Sequence, residues 1–420
     1  MSAPPQEDLD LLELELELGA AAAGGSCVAR APDGRVVFVR YGLPGERVRV
    51  RVTSSTSKYL RADAVEVLTA SPDRVEPPCP YARPGRCGGC DWQHVALGRQ
   101  REMKAGLVAE QLRRIARTER EVVVEEVDGA PDGLGWRTRV TFAVSHDGRP
   151  GLRRHRSHDL ELVDRCLIAA PGVEQVGAER ERWHAASSVE VATTAAGDQR
   201  VVDVVRGSRG RPRVPEVDAG VVVDGRPAGG PQGLRHSAGG RRFEVATGGF
   251  WQVHVGAAEA LVAAVLEALD AQPGESVVDL YSGVGLFAAL LGDAVGPTGS
   301  VLGVEQNARA CADAARNTAD QPHVHVRTAE VGPQLVARLA PPDLVVLDPP
   351  RVGAGQAVTA ALAALRPRRI AYVSCEPASF ARDAKVLLDA GWTMPGLRAF
   401  DLYPMTEHVE LVGVFEPPAA

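Results

Sequence analysis

The stretch Val277-Val-Asp-Leu-Tyr-Ser-Gly-Val-Gly-Leu-Phe287 decides the fold class of this 420-residue chain. Its first five residues form a short apolar run that is typical of a buried strand, and two glycines follow closely. Glycines at such a point allow a tight turn, and they let a ligand approach the backbone where a helix begins. The stretch therefore predicts a strand, a turn and a helix with a ligand site at the turn.

The same form recurs toward the C-terminus. Further apolar runs end in polar residues, with helical stretches over 308–319 and 377–390: Val301-Leu-Gly-Val-Glu305, Asp343-Leu-Val-Val-Leu-Asp348 and Ile370-Ala-Tyr-Val-Ser-Cys375. Alternating strands and helices predict an α/β fold with a Rossmann-like, doubly wound sheet. Ligands in such sheets bind at the carboxyl ends of the strands. Four polar residues lie at or near such ends: Asp279, Glu305, Asp348 and Cys375.

The turn at Gly283 and Gly285 suits a nucleoside-containing cofactor. Glu305 lies 20 positions after Gly285, where a carboxylate can accept both ribose hydroxyls. NAD is the alternative, but the third glycine of the dinucleotide fingerprint is absent. Asp279 suits a cationic sulfonium, and Asp348-Pro-Pro-Arg351 follows a later strand. These features favour S-adenosylmethionine.

Cys375 is the candidate nucleophile. It ends an apolar strand, and Pro377 stands in the first turn of the next predicted helix. A helix N-terminus lowers a thiol pKa and favours the thiolate. Such a thiolate can add to C6 of a uracil and so activate C5, after which a general base must remove the C5 proton. The alternative is a buried structural cysteine, which we accept for Cys311.

The N-terminal segment has an all-β pattern. Leucine and glutamate alternate from Leu11 to Leu18, and short strands with Gly/Pro turns follow, which is typical of a small barrel. The lines Gly34-Arg-Val-Val-Phe-Val39 and Leu43-Pro-Gly-Glu-Arg-Val48 resemble a TRAM domain, an OB-like RNA-binding module. Arginines alternate along 47–51, and we expect them to form an outward charged face that contacts RNA.

Charge and cysteine content give two further expectations. The net charge is −7, but residues 30–61 hold eight Arg/Lys and residues 99–120 hold seven, so either run forms an RNA surface or a solvated face. Of the seven cysteines, four form a candidate metal group that suits zinc or an iron–sulfur cluster: Cys79, Cys87, Cys90 and Cys166.

Three motifs carry a family resemblance. The chain resembles the RNA 5-methyluridine methyltransferase family in a nucleophile motif, a proton-abstracting motif and a cofactor-facing segment: Tyr372-Val-Ser-Cys-Glu-Pro-Ala-Ser-Phe-Ala-Arg-Asp383, Pro404-Met-Thr-Glu-His-Val-Glu410 and Phe250-Trp-Gln-Val-His254. The resemblance implies methylation of uridine C5 in ribosomal or transfer RNA. It implies Glu410 as the base, a [4Fe-4S] cluster on the four cysteines, and a cofactor site at Gln252, Tyr281, Glu305 and Asp348.

We predict three domains, namely a TRAM-like barrel over 1–70, a central cysteine-containing domain over 71–245 and a methyltransferase domain over 246–420. An amphipathic helix over 95–117 is expected to pack on the last domain. A cytosine or adenine methyltransferase, or an RNA-binding module without catalysis, are the alternatives. With no secretory signal in 1–10 and no membrane-spanning run, we expect a cytoplasmic monomer whose partner is RNA.

Overall fold

The computed structural model describes residues 12–208 and 210–419. The predicted N-terminal strand begins at Leu11, which lies outside the described residues, and its described part runs from Glu13 to Glu17. Within the described ranges, no helix has both the length and the apolar character needed to cross a membrane.

The N-terminal part is a six-stranded sheet in the order β1-β5-β6-β4-β3-β2. Its strands are β1 (Glu13–Glu17), β2 (Ala21–Ala22), β3 (Ser26–Arg30), β4 (Val36–Arg40), β5 (Arg47–Ser55) and β6 (Tyr59–Thr69). Strand β1 also contacts β3, so the sheet curls around one apolar core. The period-two pattern explains this core, because Val48, Val50 and Val52 are fully buried while the arginines between them point outward.

The arginine face of β5 is paired with carboxylates. Strand β1 lies antiparallel to β5, with Glu13 opposite Arg51 and Glu15 opposite Arg49. Arg47 lies 2.8 Å from Glu15, Arg51 lies 3.3 Å from Glu13, and Arg49 also bonds Glu66. The predicted outward face therefore exists, but glutamates compensate its charge.

The central part is a seven-stranded sheet in the order β10-β9-β8-β11-β12-β13-β14, followed by a hairpin. Its strands are β8 (Arg139–Val144), β9 (Pro150–Arg153), β10 (Leu160–Glu161), β11 (Ala186–Thr193), β12 (Arg200–Arg206), β13 (Gly220–Val223) and β14 (Arg226–Gly229), and the hairpin is β15 (Gly233–Ala238) with β16 (Arg241–Ala246). The glycines and prolines after β12 separate short strands, such as the valine run of β13.

A helical segment of the central part lies against the C-terminal sheet. Helix α1 (Leu97–Gln111) continues as a π-helix over Leu112–Ala116, and strand β7 (Val124–Glu125) then joins the edge of that sheet. Fully buried Lys104 of α1 places its Nζ 2.5 Å from Asp401 Oδ1 and 3.0 Å from the Tyr403 carbonyl oxygen. A short helix, α2 (Pro171–Val176), precedes β11.

The C-terminal part is an eight-stranded sheet in the order β19-β18-β17-β20-β21-β23-β22-β7. Its strands are β17 (Ser276–Leu280), β18 (Ser300–Glu305), β19 (Val324–Thr328), β20 (Leu344–Leu347), β21 (Arg369–Ser374), β22 (Thr393–Phe400) and β23 (Glu410–Glu416), and its helices are α3 (Ala257–Leu269), α4 (Leu286–Val295), α5 (Ala308–Asn317), α6 (Pro333–Val336), α7 (Gln356–Leu365) and α8 (Pro377–Asp389). Strands β17 to β21 run parallel, and β23 runs antiparallel to β21. The first residue of β23 therefore lies at the edge where the parallel strands end.

Candidate active site

A cavity of about 870 Å³ lies at this carboxyl edge of the sheet. Seven residues singled out from the sequence line it: Gln252, Tyr281, Gly283, Glu305, Asp348, Cys375 and Glu410. Residues from β17, β18, β20, β21 and β23 meet here because the parallel strands end together and the antiparallel strand begins there.

The two glycines of the turn have different roles, one beside the cavity and one in packing. Gly283 has φ +53, and a Cβ built on it would meet no atom within 4 Å, so the cavity is open beside its backbone. Gly285 has φ +84 and caps α4, and a Cβ there would lie 3.2 Å from Ala314 Cβ of α5. Gly285 therefore shapes the turn without lining the cavity, and Gly283 leaves room for a ligand.

Glu305 is fixed by the turn that it faces. Its Oε2 accepts from the Gly283 N–H at 3.1 Å and its Oε1 accepts from the Asn307 N–H at 2.7 Å. A carboxylate oxygen has two lone pairs, so each oxygen keeps one for a ligand hydroxyl.

Asp279 is not among the residues that line the cavity, so its predicted contact with a sulfonium stays a prediction. Its carboxylate is fully buried under α4, where Oδ2 accepts from the Ala288 N–H at 3.0 Å. Burial raises the pKa of Asp279 well above the ordinary value. Its hydrogen bond to Ala288 holds the group beneath the glycine turn.

Cys375 follows β21 and directly precedes the N-cap of α8, which begins at Pro377 as predicted. The neighbouring loop after Asp348 is held to α8, because Ser379 Oγ donates to the Arg351 carbonyl oxygen at 2.9 Å. On the other side Ser374 pairs with Leu411, so Cys375 and Glu410 extend from adjacent strands.

The electrostatics of Cys375 differ from the expectation. Burial, and then the charge of Glu410, raise the pKa of Cys375 to about 12, while Arg351 opposes the shift. The expected lowering of the pKa by the helix N-terminus was wrong for this state, because burial of the thiol, and after it the charges of Glu410 and Asp348, favour the neutral form. Burial also raises the pKa of Asp348 to about 7, and burial with the charge of Asp348 raises that of Glu410 well above its usual range.

Sequence reasoning missed Tyr403. Its hydroxyl donates to Glu410 Oε2 at 3.3 Å, and its ring packs edge-on against Trp136 and His408. The turn that carries it is unusual, since Met405 has φ +68 and its carbonyl accepts from the Asp91 and Trp92 N–H groups. Its only sequence signal is that it directly precedes the motif beginning at Pro404.

Of the four cysteines, Cys90 is affected by the charges of the others. Burial, and then the charges of Cys166, Cys87 and Cys79, raise the pKa of Cys90 well above its ordinary value. Between them Gly88 and Gly89 line the cavity wall. Within residues 12–208 and 210–419, no group of three or more His, Cys, Asp or Glu side chains is arranged to hold a metal ion.

Comparison with family models agrees with this arrangement. The TRAM domain model matches residues 14–65. A second model, of protein-L-isoaspartate (D-aspartate) O-methyltransferase, matches residues 251–357. That match covers the glycine turn, Glu305 and Asp348 and ends before Cys375.

Similar proteins cover almost the whole chain. An uncharacterized RNA methyltransferase of Streptomyces coelicolor is 47% identical and the alignment covers 100% of this chain and 96% of the relative. A 23S rRNA (uracil(1939)-C(5))-methyltransferase of Chromohalobacter salexigens is 33% identical over 94% of this chain and 87% of its own length.

One solved structure has the same fold. The tRNA (uracil-54, C5)-methyltransferase of Pyrococcus abyssi, in complex with S-adenosyl-L-homocysteine, aligns with a TM-score of 0.72 and 24% identity over 96% of this chain and 100% of that one. The fold is thus a methyltransferase domain preceded by a TRAM domain. On the full-length relatives, the chain belongs to the S-adenosylmethionine-dependent RNA (uracil-5-)-methyltransferase family.

Proposed function

We propose that this chain methylates C5 of one uridine in a structured ribosomal or transfer RNA through a covalent bond between Cys375 and C6 of the base. The observation that carries the proposal is the position of Cys375 and Glu410, from adjacent strands, in the cavity that the glycine turn also lines. A thiol and a carboxyl group are the two groups that this reaction requires.

The residues around the turn fit S-adenosylmethionine, which supplies an electrophilic methyl group when bound. Glu305 would accept the ribose hydroxyls with its free lone pairs, and the open backbone at Gly283 would border the cofactor. Gln252, Tyr281 and Asp348 would complete the contacts, because they line the same cavity. Gly285 would act indirectly, by allowing the turn.

Cys375 begins the proposed reaction. Its thiol releases a proton to solvent in the open cavity, the sulfur bonds to C6, and the C5=C6 π electron pair moves to C5 and the O4 oxygen. C5 would then bond to the methyl group while the bond between that methyl group and the sulfonium sulfur breaks, which leaves the thioether S-adenosylhomocysteine. Arg351 lowers the pKa of the thiol, and departure of negative charge from Glu410 or Asp348 would lower it further.

Glu410 would complete the reaction. The C5 carbon carries both a methyl group and a proton, and the carboxylate removes the proton while the electron pair restores C5=C6 and expels the Cys375 thiolate. Burial raises the pKa of Glu410, which makes its carboxylate a stronger base. Tyr403 would orient that carboxylate through its hydroxyl.

The test uses the intact chain, bulk RNA and labelled methyl donor. Cys375→Ala should abolish methyl transfer and retain RNA binding, and the wild-type chain should form a gel-stable adduct with 5-fluorouridine RNA. Glu410→Gln should accumulate protein bound to methylated RNA, visible by mass spectrometry. Normal turnover by Cys375→Ala, or no methylated adduct with Glu410→Gln, would contradict the mechanism.

We also propose a [4Fe-4S] cluster on Cys79, Cys87, Cys90 and Cys166. The support is the all-sulfur donor set that these four free cysteines offer. Anaerobically purified protein should contain iron and acid-labile sulfide. One equivalent of zinc without sulfide would replace this proposal with the zinc alternative.

The target RNA, assembly and domain limits stay proposals as well. Mapping 5-methyluridine in ribosomal and transfer RNA from a strain that lacks the gene would identify the target nucleotide. We propose a monomer, which light scattering would test. Limited proteolysis would test the proposed division of the chain near residues 70 and 245.

A further inference from the structure

A second groove, of about 620 Å³, adjoins the catalytic cavity. Its floor consists of small side chains from β8 and β11, including Thr141, Ala143 and Ser188. One side is formed by the end of β9 and the residues after it, which we call the arginine segment, Arg153–Arg156. The sequence reasoning gave this segment no role.

The arginine segment is cationic and poorly compensated. Among the described residues that line the groove, three are arginines, one is His155 and none is acidic. Arg154 lies 3.4 Å from Glu161. Among the described residues, the side chain of exposed Arg153 bonds only His158, and exposed Arg156 forms no ion pair. An acid-free groove on a chain with net charge −7 is a site for anions.

The cavity and the groove share one wall, formed by Gly88 and Gly89. The wall is fixed to the arginine segment because Gly88 N–H donates to the Arg153 carbonyl oxygen at 3.1 Å and Cys87 pairs with Arg154. A Cβ at Gly88 would lie 2.6 Å from His155 Cα, so only glycine permits this close approach. A chain that leaves the cavity over this wall enters the groove.

The groove also approaches the N-terminal barrel. Burial, and then the charges of Arg40, Arg156 and Arg61, lower the pKa of His155 to about 4, so Arg61 of β6 lies within electrostatic reach of the groove. The guanidinium of Arg61 lies over the Tyr59 ring at 5.4 Å, and Tyr59 meets Phe38 edge-on. Arginine beside aromatic rings suits unstacked bases of single-stranded RNA.

We infer that the groove binds backbone phosphates of the single-stranded RNA segment that flanks the target uridine, with Arg153 and Arg156 as the phosphate contacts. The inference rests on the proposed function for the identity of the reacting base, but the phosphate contacts do not depend on the chemistry. The groove would hold the flanking strand while the uridine lies beyond the glycine wall, in the cavity.

The test compares two double variants of equal charge change. Arg153→Gln with Arg156→Gln alters the groove, and Arg226→Gln with Arg242→Gln removes two exposed arginines that line neither cavity. The probe is a labelled single-stranded RNA of about 16 nucleotides, near the site size of one OB-like module. The groove variant should bind roughly 10-fold more weakly than the control variant. Its log–log salt slope should be shallower by about 1.4, for about 0.7 per phosphate.

Catalysis supplies an independent measurement. With bulk RNA, the groove variant should raise KM for RNA and leave kcat and the KM for S-adenosylmethionine unchanged, because the cavity is intact. Arg153→Lys with Arg156→Lys should restore the salt slope, since lysine keeps the charge. Groove and control variants with equal affinity and slope, or a lysine variant as shallow as the glutamine variant, would overturn the inference. If wild type methylates no RNA but the binding difference persists, the proposed function fails and the groove stands.

Discussion

Two buried carboxyl groups lie nine positions apart, at the two ends of the segment that joins β22 to β23, and their neighbouring groups differ in charge. Asp401 is 2% exposed and its Oδ1 lies 2.5 Å from the buried ammonium of Lys104. Glu410 is 3% exposed, and its neighbours are the Tyr403 hydroxyl, Asp348 and Cys375. Asp401 is thus paired with a cation, whereas Glu410 lies among other acidic groups.

The difference teaches what burial does to a charge. An ion pair with good geometry compensates the charge of a buried carboxylate, and the pair then fixes structure. A buried carboxyl group near other acids instead has a raised pKa, as Glu410 does. One end of the segment, Asp401, is therefore structural and ties α1 to the turn that carries Tyr403, and the other end carries Glu410, the general base in the proposed reaction.

The largest expected effect is on turnover. Glu410→Gln should reduce kcat by roughly 10²–10⁴-fold, the usual cost of a lost general base. Asp401→Asn, measured where it is folded, should reduce kcat far less, because Asp401 does not line the cavity. Steady-state methylation of bulk RNA by the two variants checks this, and equal losses would remove the distinction between the two ends.

The next largest effect is on stability, where replacing Asp401 should matter more than replacing Glu410. Asp401→Asn leaves Lys104 buried without its counter-ion and should lower the free energy of unfolding by about 3–5 kcal/mol. Replacing both partners, Lys104→Met with Asp401→Leu, should recover most of that loss, because neither charge is then buried. Urea denaturation measures all three proteins. A double variant as unstable as Asp401→Asn would show that the pair is not the source of the stability.

The sequence predicted the parallel sheet and most of the cavity because both follow from short-range patterns. Glu305, Asp348 and Cys375 each follow an apolar strand, and the ends of parallel strands meet by geometry. The contact of Tyr403 with Glu410 was not predictable, since it depends on a turn in which Met405 adopts a left-handed conformation. The raised pKa of Cys375 follows from burial and then from the charges of Glu410 and Asp348, which only the folded chain reveals, so a helix terminus alone gave the wrong direction.

Asp348, an acidic neighbour of Glu410, predicts a dependence of stability on pH. Burial raises the pKa of Asp348 from 3.8 to about 7, so the folded state holds its proton more tightly than the unfolded state. That contribution is complete below pH ~4 and is lost as the pH rises through about 7. The free energy of unfolding of wild type should therefore fall relative to that of Asp348→Asn over this window. Parallel pH profiles of the two proteins would contradict the raised pKa.

The smallest effect is expected at the exposed arginines of β5, because exposed ion pairs contribute little free energy. Arg47, Arg49 and Arg51 face glutamates of β1 and β6, and these exposed pairs are screened by water and salt. Because carboxylates already neutralise them, few counterions would be released when they meet a phosphate. Replacing all three with glutamine should leave the salt slope of RNA binding close to that of wild type, in contrast to the arginine segment. The measurement is the same titration of labelled single-stranded RNA. If the salt slope of this triple variant is shallower than that of the Arg153→Gln, Arg156→Gln variant, the arginines of β5 bind RNA. Pairing with glutamates across the strands would then not decide which arginines are available to RNA.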